Sequence, residues 1–166
     1  NQVRRLVRLA GITLEAVPDN APAARDCLRA YAAELEERFP EGYDAGALMA
    51  PGTLSDGTFL LAREGGQAVG CGLWQRVAPG SAEIRHVWIS PVVRGLGLGR
   101  RLLGALEQDA AARGVTTVWL GTHGCLGEAI ALYRGSGYRE IPSYDSSPYN
   151  QLAFENGEPA IKYEHD

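Results

Sequence analysis

The chain has little of what builds membrane spans or disulfide frameworks, and its basic residues are arginines with one exception. Its 166 residues include a single lysine, Lys162, and no apolar run approaches the ~20 residues that a membrane helix needs. The cysteines Cys27, Cys71 and Cys125 lie far apart without a CxxC pair, which excludes a disulfide framework and a thiolate metal site. Reduced thiols favour a cytoplasmic location, and neither a signal peptide nor a bound metal is expected.

The charge balance limits the partners of the chain. There are 16 basic and 20 acidic residues, which give a net charge of -4 and a pI of about 5.4. Because nucleic-acid affinity comes mainly from neutralising phosphates, an acidic chain is a poor general binder of nucleic acid. A hydrophobic content of 45% and a charged content of 22% are typical of one globular domain.

Hydrophobic periodicity predicts a mixed α/β domain. Asp19 and Asn20 are residue types that cap helices, and Pro22 suits a first helical turn. The predicted elements are, in order, a strand at 12–17, a helix at 22–39, a short helix near 45–49, strands at 58–63, 67–77 and 82–90, a helix between Gly99 and Gly114, a strand at 116–120, a helix at 128–136, and strands at 138–141 and 151–155. This order predicts an α/β (α+β) fold, a mixed and mainly antiparallel sheet of about six or seven strands flanked by helices.

The first eleven residues differ from the rest. Val3, Leu6 and Val7 have helical spacing and alternate with arginines. We therefore expect an N-terminal arm at 1–11, which is compatible with the end of an upstream segment, followed by a single domain at 12–166.

The most informative stretch is a glycine-rich loop between a strand and a helix, Arg94-Gly95-Leu96-Gly97-Leu98-Gly99. Glycines let backbone N–H groups approach an anion, and the dipole of the following helix favours negative charge. Arg94 adds a planar set of donors for phosphate oxygens. The loop is neither a Walker loop nor a complete GxGxxG, because the last position counted from Gly95 is Arg100. A phosphate-bearing ligand is predicted, with a tight turn as the alternative on this loop alone.

This loop resembles the R/Q-x-x-G-x-G/A signature of the GNAT superfamily, the acyl-CoA-dependent N-acyltransferases. Downstream, Ala129-Ile130-Ala131-Leu132-Tyr133-Arg134-Gly135-Ser136-Gly137-Tyr138 resembles the second signature of the family, A-x-x-L-Y-x-x-x-G-F/Y. Two signatures in order are far more specific than either alone, and the resemblance covers residues 12 to about 155. The chain departs from it at Leu126, where many members carry an asparagine that contacts the pantetheine arm.

The resemblance implies an N-acetyltransferase in which a primary amine of a small molecule or peptide attacks acetyl-CoA directly in a ternary complex. Tyr133 is expected to protonate the leaving thiolate, with core packing as the alternative role of this side chain. The residues expected to hold the oxyanion and the pyrophosphate of the cofactor are Val87, Trp88 and Ile89, and Arg94, Gly95, Leu96, Gly97, Leu98, Gly99 and Arg100.

A general base is needed because an alkyl ammonium is almost fully protonated near neutral pH. Glu83 is the first candidate, since some family members carry a base at this place on the strand, and an exposed sheet carboxylate is the alternative interpretation. His86 and His123 are the other candidates. An acyl-enzyme on Cys125 is rejected, because no third residue is indicated that would orient a base.

The acceptor is not identified by the sequence. Carboxylates and tyrosines in 34–39, in Tyr43 and Asp44, and in 143–149 form the two expected walls of the acceptor site, which would suit a cationic amine. Two other functions stay open, a non-catalytic acyl-CoA-binding regulatory module and the acyltransferase half of a longer DNA-binding protein. A homodimer is compatible with the sequence.

Overall fold

A computed structural model describes residues 1–49, 54–145 and 147–156, except for the side chains of Ala47 and Met49. The predicted domain limit at 166 lies outside these residues. The elements are α1 (Gln2–Ala10), β1 (Ile12–Val17), α2 (Pro22–Arg38), α3 (Gly46–Met49), β2 (Gly57–Glu64), β3 (Gln67–Ala78), β4 (Ser81–Ile89), a 3-10 turn (Pro91–Val93), α4 (Leu98–Ala112), β5 (Thr117–Thr122), α5 (Gly127–Gly135), β6 (Arg139–Ile141) and β7 (Leu152–Glu155).

Seven strands form one sheet in the order β1-β2-β3-β4-β5-β7-β6. All neighbours pair antiparallel except β4 and β5, which run parallel. The tight turns of the β2–β3–β4 meander contain Gly65, Gly66 and Gly80, all at positive φ, which glycine adopts without steric cost. The predicted mixed, mainly antiparallel sheet flanked by helices is therefore confirmed.

Helices cover both faces of the sheet because their apolar stripes need a buried partner. Leu102, Leu103 and Leu106 of α4 pack on one face of the sheet. Cys27 and Leu28 of α2 pack on the opposite face. Each face therefore has its own apolar core, and the sheet lies between the two helical layers.

Strand β4 contains the irregularity that opens the molecule. Its register with β3 shifts between the pairs Cys71–Trp88 and Leu73–Arg85, so that one extra residue bulges from β4. His86 lies in this bulge with a φ of 59°, the only positive φ outside glycine in the described part of the chain. Pairing between β4 and β5 ends at the Ile84–Leu120 pair. The rest of β4 therefore has a free edge on the side of β5.

The start of helix α2 differs from the prediction. The predicted caps Asp19 and Asn20 are wrong: the N-cap of α2 is Ala21, which offers no side-chain hydrogen bond, and Asp19 instead accepts from the Leu54 N–H at 3.3 Å. Proline in the first turn has no N–H that would need a hydrogen-bond partner, so the helix needs a polar cap less.

In 1–49, 54–145 and 147–156, no helix is both long and apolar enough to cross a membrane.

The helical spacing in the first residues corresponds to helix α1. Its apolar side chains Val3, Leu6 and Val7 are exposed. Two contacts hold its end near the sheet: the Arg101 guanidinium donates to the Leu9 carbonyl at 2.9 Å, and Arg8 forms an ion pair with Glu64 at 2.8 Å. The helix therefore ends beside the glycine-rich loop.

Candidate active site

A cavity of about 510 Å³ lies where β4 and β5 part. Its walls come from β4, the loop at 94–100, α5, the end of α2 and the segment 147–150. Tyr133, Glu83 and the residues predicted to hold the cofactor line this cavity, except Leu96, which packs on the small apolar core around Val93 and Leu98. The fold thus brings two separate signatures and the β4 candidates into one space.

The glycine-rich loop is shaped by its backbone conformation. Gly95 and Gly97 have φ values of 83° and 91°, and Gly97 is the N-cap of α4. A Cβ on Gly99 would lie 3.2 Å from Leu132 of α5, so the third glycine allows α4 and α5 to pack closely. The first N–H groups of α4 therefore face the cavity end of the loop without side chains in the way.

The free edge of β4 exposes backbone donors to the cavity. The Ser90 N–H donates to the Val69 carbonyl of β3 at 2.8 Å. Because successive N–H groups of a strand point to alternate edges, the Trp88 N–H also faces β3, and the Val87 and Ile89 N–H groups face the side that β5 leaves open. Two of the three predicted oxyanion donors thus point into the gap.

Glu34 of α2 ties the loop to the opposite wall. Its carboxylate accepts from the Arg94 guanidinium at 2.6 Å and from the Trp88 indole N–H at 3.2 Å. Arg94 also donates to the Ile89 carbonyl at 2.9 Å. The arginine of the signature is therefore held beside the free edge of β4, between the loop and α2.

Tyr133 of α5 is 7% exposed and faces the cavity. Its ring packs 5.8 Å from Phe154 and 6.3 Å from Tyr138 between centroids, whereas its hydroxyl has no hydrogen-bond partner among the described residues. Burial raises the pKa of Tyr133 to about 12, so the phenol keeps its proton at neutral pH. Its ring packs as a core residue would, and its hydroxyl is left for a ligand.

Glu83 is held on β4 by two side chains. The Tyr144 hydroxyl donates to its carboxylate at 2.6 Å, and the Arg85 Nε lies 3.5 Å from its other oxygen. The Glu83 side chain is 15% exposed, so it is not a solvated surface carboxylate. Sequence reasoning missed Arg85 and Tyr144 as neighbours; the two-residue spacing of Glu83 and Arg85 on one strand face was the available signal for Arg85.

The two histidines have different surroundings. Burial, assisted by the Arg85 charge, lowers the pKa of His86 to about 3, which makes it a weak proton acceptor. The Nδ1 of His123 accepts from the Cys125 N–H at 3.0 Å, and its Nε2 lies 2.9 Å from a Glu41 oxygen. Both ring nitrogens of His123 therefore have partners in the fold. Its Nδ1 faces the backbone of Cys125 and not the thiol.

The predicted acceptor walls meet at the end of the cavity away from the glycine loop. The rings of Tyr43 and Tyr149 lie 4.7 Å apart, and the Tyr149 hydroxyl accepts from the Asp44 N–H at 2.9 Å. Phe39 stacks on Tyr149 at 5.5 Å. Leu126 packs on Phe39 in an apolar cluster, so this position offers no polar side chain to a ligand.

Among the described residues, no three His, Cys, Asp or Glu side chains are grouped so that they could hold a metal ion.

The chain belongs to the acetyltransferase (GNAT) family, which matches residues 23–138. The matched segment includes both signatures and the whole of β4. The family resemblance predicted from the two motifs is thereby confirmed.

Several known proteins are similar to this chain. The IAA acetyltransferase of Azospirillum brasilense is 37% identical over 83 residues, which are 49% of this chain and 54% of that protein. An acetyltransferase of the GNAT family from Staphylococcus aureus Mu50 is 17% identical with a TM-score of 0.74, covering 87% of this chain and 98% of that chain. The PaiA N-acetyltransferase of Thermoplasma acidophilum, in complex with coenzyme A, is 16% identical with a TM-score of 0.69, covering 89% and 99%. The structural likenesses show the shared fold.

The curated relatives are matched over part of their length. The chain spans between 24% and 61% of the four matched proteins.

Proposed function

We propose that this chain is an N-acetyltransferase that moves the acetyl group of acetyl-CoA to a primary amine of a small molecule or peptide. The amine attacks the thioester directly, in a ternary complex. The observation that carries this proposal is the single cavity in which the glycine-rich loop, the free edge of β4 and the unpartnered Tyr133 hydroxyl meet.

The loop fits the pyrophosphate of a CoA thioester. Among the described residues, a Cβ on Gly97 would have only Leu9 within 4 Å, at 3.8 Å, so the glycine leaves the start of α4 open to a ligand. The N–H groups at this helix start would hold the phosphate oxygens. Arg100 forms no hydrogen bond in the described part of the chain and adds a charge there, while Arg94 keeps further N–H donors beyond its bonds to Glu34 and Ile89.

The chemistry then needs an oxyanion site and an acid. As the amine adds to the thioester carbonyl, the oxyanion would take hydrogen bonds from the Val87 and Ile89 N–H groups, and one such donor is worth ~2.7–4 kcal/mol in comparable sites. Tyr133 would give its proton to the thiolate as the C–S bond breaks. The acid is present at neutral pH because burial holds the pKa of Tyr133 at about 12.

Glu83 is the base that the surroundings favour. Tyr144 and Arg85 hold the Glu83 carboxylate in place at the cavity, where it can accept a proton from the amine. His86 has a pKa of about 3, and His123 has no free ring nitrogen when neutral. Water can relay the proton where the amine does not reach Glu83 directly.

The test combines binding and transfer. Acetyl-CoA should raise the melting temperature, because a ligand that binds only the native state stabilises it by mass action. S-acetylpantetheine, which lacks the pyrophosphate, should raise it far less. A panel of primary amines with acetyl-CoA should release free CoA and yield products heavier by one acetyl group. Equal shifts for the two thioesters would contradict the loop assignment, and binding without transfer to any amine would favour a non-catalytic acyl-CoA-binding module.

A further inference from the structure

Arg85 is a cation in the cavity that the proposed chemistry does not use. It lies two residues after Glu83 on the same face of β4 and lines the same cavity. Its guanidinium forms no hydrogen bond within the described residues, and its contact with Glu83 is an ion pair of 3.5 Å through Nε. The side chain is 42% exposed, so its remaining donors are open to a ligand.

The groups around Arg85 mark the acceptor end of the cavity. Burial raises the pKa of Tyr43 to about 12 and also raises the pKa of Tyr144. The positive charge of Arg85 opposes both rises. These phenols belong to the two opposite acceptor walls. The geometry agrees, because the Tyr144 hydroxyl of one wall donates to the Glu83 carboxylate and the Arg85 Nε lies 3.5 Å from the same carboxylate.

Two other carboxylates of these walls, Asp44 and Asp145, are occupied in their own loops. One oxygen of Asp44 accepts from the Gly46 N–H at 3.0 Å. The two oxygens of Asp145 accept from the Ser147 N–H and the Asn150 amide, each at 2.9 Å. Glu83 and Arg85 thus present one negative and one positive charge side by side to a molecule in the acceptor end.

We infer that Glu83 and Arg85 together bind a zwitterion, so that the acceptor is an α-amino acid whose carboxylate is held by Arg85. In such a compound the amine and the carboxylate share one carbon, which places their charged atoms roughly 3 Å apart. This separation is similar to the 3.5 Å between the Arg85 Nε and the Glu83 Oε1. The planar guanidinium takes a carboxylate through two parallel hydrogen bonds, while the amine lies at the base.

This inference rests on the proposed function and names its substrate class. Lysine side chains of proteins and simple alkyl amines lack a carboxylate next to the amine, so they would leave Arg85 unused. The rings of Tyr43 and Tyr149 lie at the same end and would contact the side chain of the amino acid.

The test compares matched acceptors that differ only at the carboxylate. A panel of L-amino acids is assayed beside the α-amide and the decarboxylated amine of each one. We expect kcat/KM to be about tenfold higher for the free acids, the low end for a hydrogen-bonded charge pair at a partly exposed site. Arg85→Gln should remove this preference by lowering kcat/KM for the acids alone, and Arg85→Lys should retain part of it. Arg29→Gln is the matched control, since Arg29 is an exposed arginine of α2 that pairs with Asp26 outside the cavity.

A second measurement separates this inference from the proposed activity. Binding of the same compounds to the CoA-saturated protein is followed by calorimetry, which needs no turnover. Binding that depends on the carboxylate and on Arg85, without acetylation, would support the zwitterion site at Glu83 and Arg85 and contradict the proposed activity. Acetylation of acids, amides and amines at equal kcat/KM, or an equal loss for all three in Arg85→Gln, would overturn the inference and leave the activity intact. A panel that neither binds nor reacts would overturn it as well.

Discussion

The cofactor half and the acceptor half of the cavity are held by different kinds of contact. The cofactor half comprises the free edge of β4, the loop at 94–100 and α5, and its form follows from backbone angles at Gly95 and Gly97. The acceptor half comprises the end of α2, Phe39, Tyr43 and the segment 147–150. It is joined by bonds between distant parts of the chain, such as the Asp44 N–H to the Tyr149 hydroxyl at 2.9 Å.

This difference explains why one half has a recognisable signature and the other has none. Glycines at positive φ and a helix start act within a few residues, so a short motif can encode an anion site. The acceptor walls depend on side chains that meet only after folding, so their residues can change together without leaving a motif. The cofactor half should therefore be sensitive to single backbone changes, and the acceptor half to single side-chain changes.

The largest expected effect is at Gly97. Gly97→Val should weaken acetyl-CoA binding by roughly a hundredfold or more, because each N–H bond to a charged oxygen is worth about 1.5–3 kcal/mol and the branched side chain would occupy the phosphate position. Its φ of 91° adds strain for any side chain. Calorimetric titration with acetyl-CoA measures the change.

Gly114→Val is the matched control for this experiment. Gly114 has a φ of 88°, no atom of the described residues lies within 4 Å of a Cβ built there, and it follows the end of α4 outside the cavity. The control should lose a similar amount of stability and keep its affinity for acetyl-CoA. If both variants bind acetyl-CoA like the parent, the loop serves only as a turn.

The next effect concerns the reacting bond. Tyr133→Phe keeps the ring contacts with Phe154 and Tyr138 and removes only the hydroxyl, so affinity for acetyl-CoA should barely change. Turnover should fall on the order of a hundredfold or somewhat less, the low end for general acid catalysis, because a thiolate is already a fair leaving group. The comparison is kcat against the acetyl-CoA Kd at a saturating amine. An unchanged kcat, where chemistry limits the rate, would leave Tyr133 a packing residue.

The smallest effect is on stability, at the bulge between the two halves. His86 has a pKa of about 3 in the fold against 6.5 as its ordinary value, so between these values the unfolded chain binds the extra proton. The free energy of unfolding should therefore fall with decreasing pH from about 6.5 toward 3, by up to about 1.4 kcal/mol per pH unit from this group. His86→Asn removes the titrating group, and asparagine tolerates the positive φ.

Urea unfolding of the parent and of His86→Asn between pH 4.5 and 6.5 gives the free energy of unfolding at each pH. Its slope against pH should be steeper in the parent by on the order of 1 kcal/mol per pH unit. Carboxylates titrate in both proteins, so the difference between the two slopes isolates His86. Parallel slopes would mean that His86 is protonated as readily in the fold as in the unfolded chain.

Much of the architecture was predictable from the sequence because it is local. Alternation in β1, the leucine stripe of α4 and the glycine turns of the meander each depend on neighbours within a few residues. The caps of α2 were not predictable in this way, since Asp19 bonds to Leu54 of a distant loop instead of to the helix. The candidate residues of the two signatures likewise came from short motifs, and all except Leu96 line one cavity.

The sequence by itself determined the order of elements and the family, and it predicted an anion site at a helix start, because periodicity and glycine conformation act along the chain. Only the tertiary structure decided that β4 bulges at His86 and parts from β5, that Tyr144 donates to Glu83, and that the Arg85 guanidinium is left open to a ligand. These features arise from packing between segments far apart in the sequence. Their energies depend on burial and on the distance between charged atoms, which no local pattern encodes.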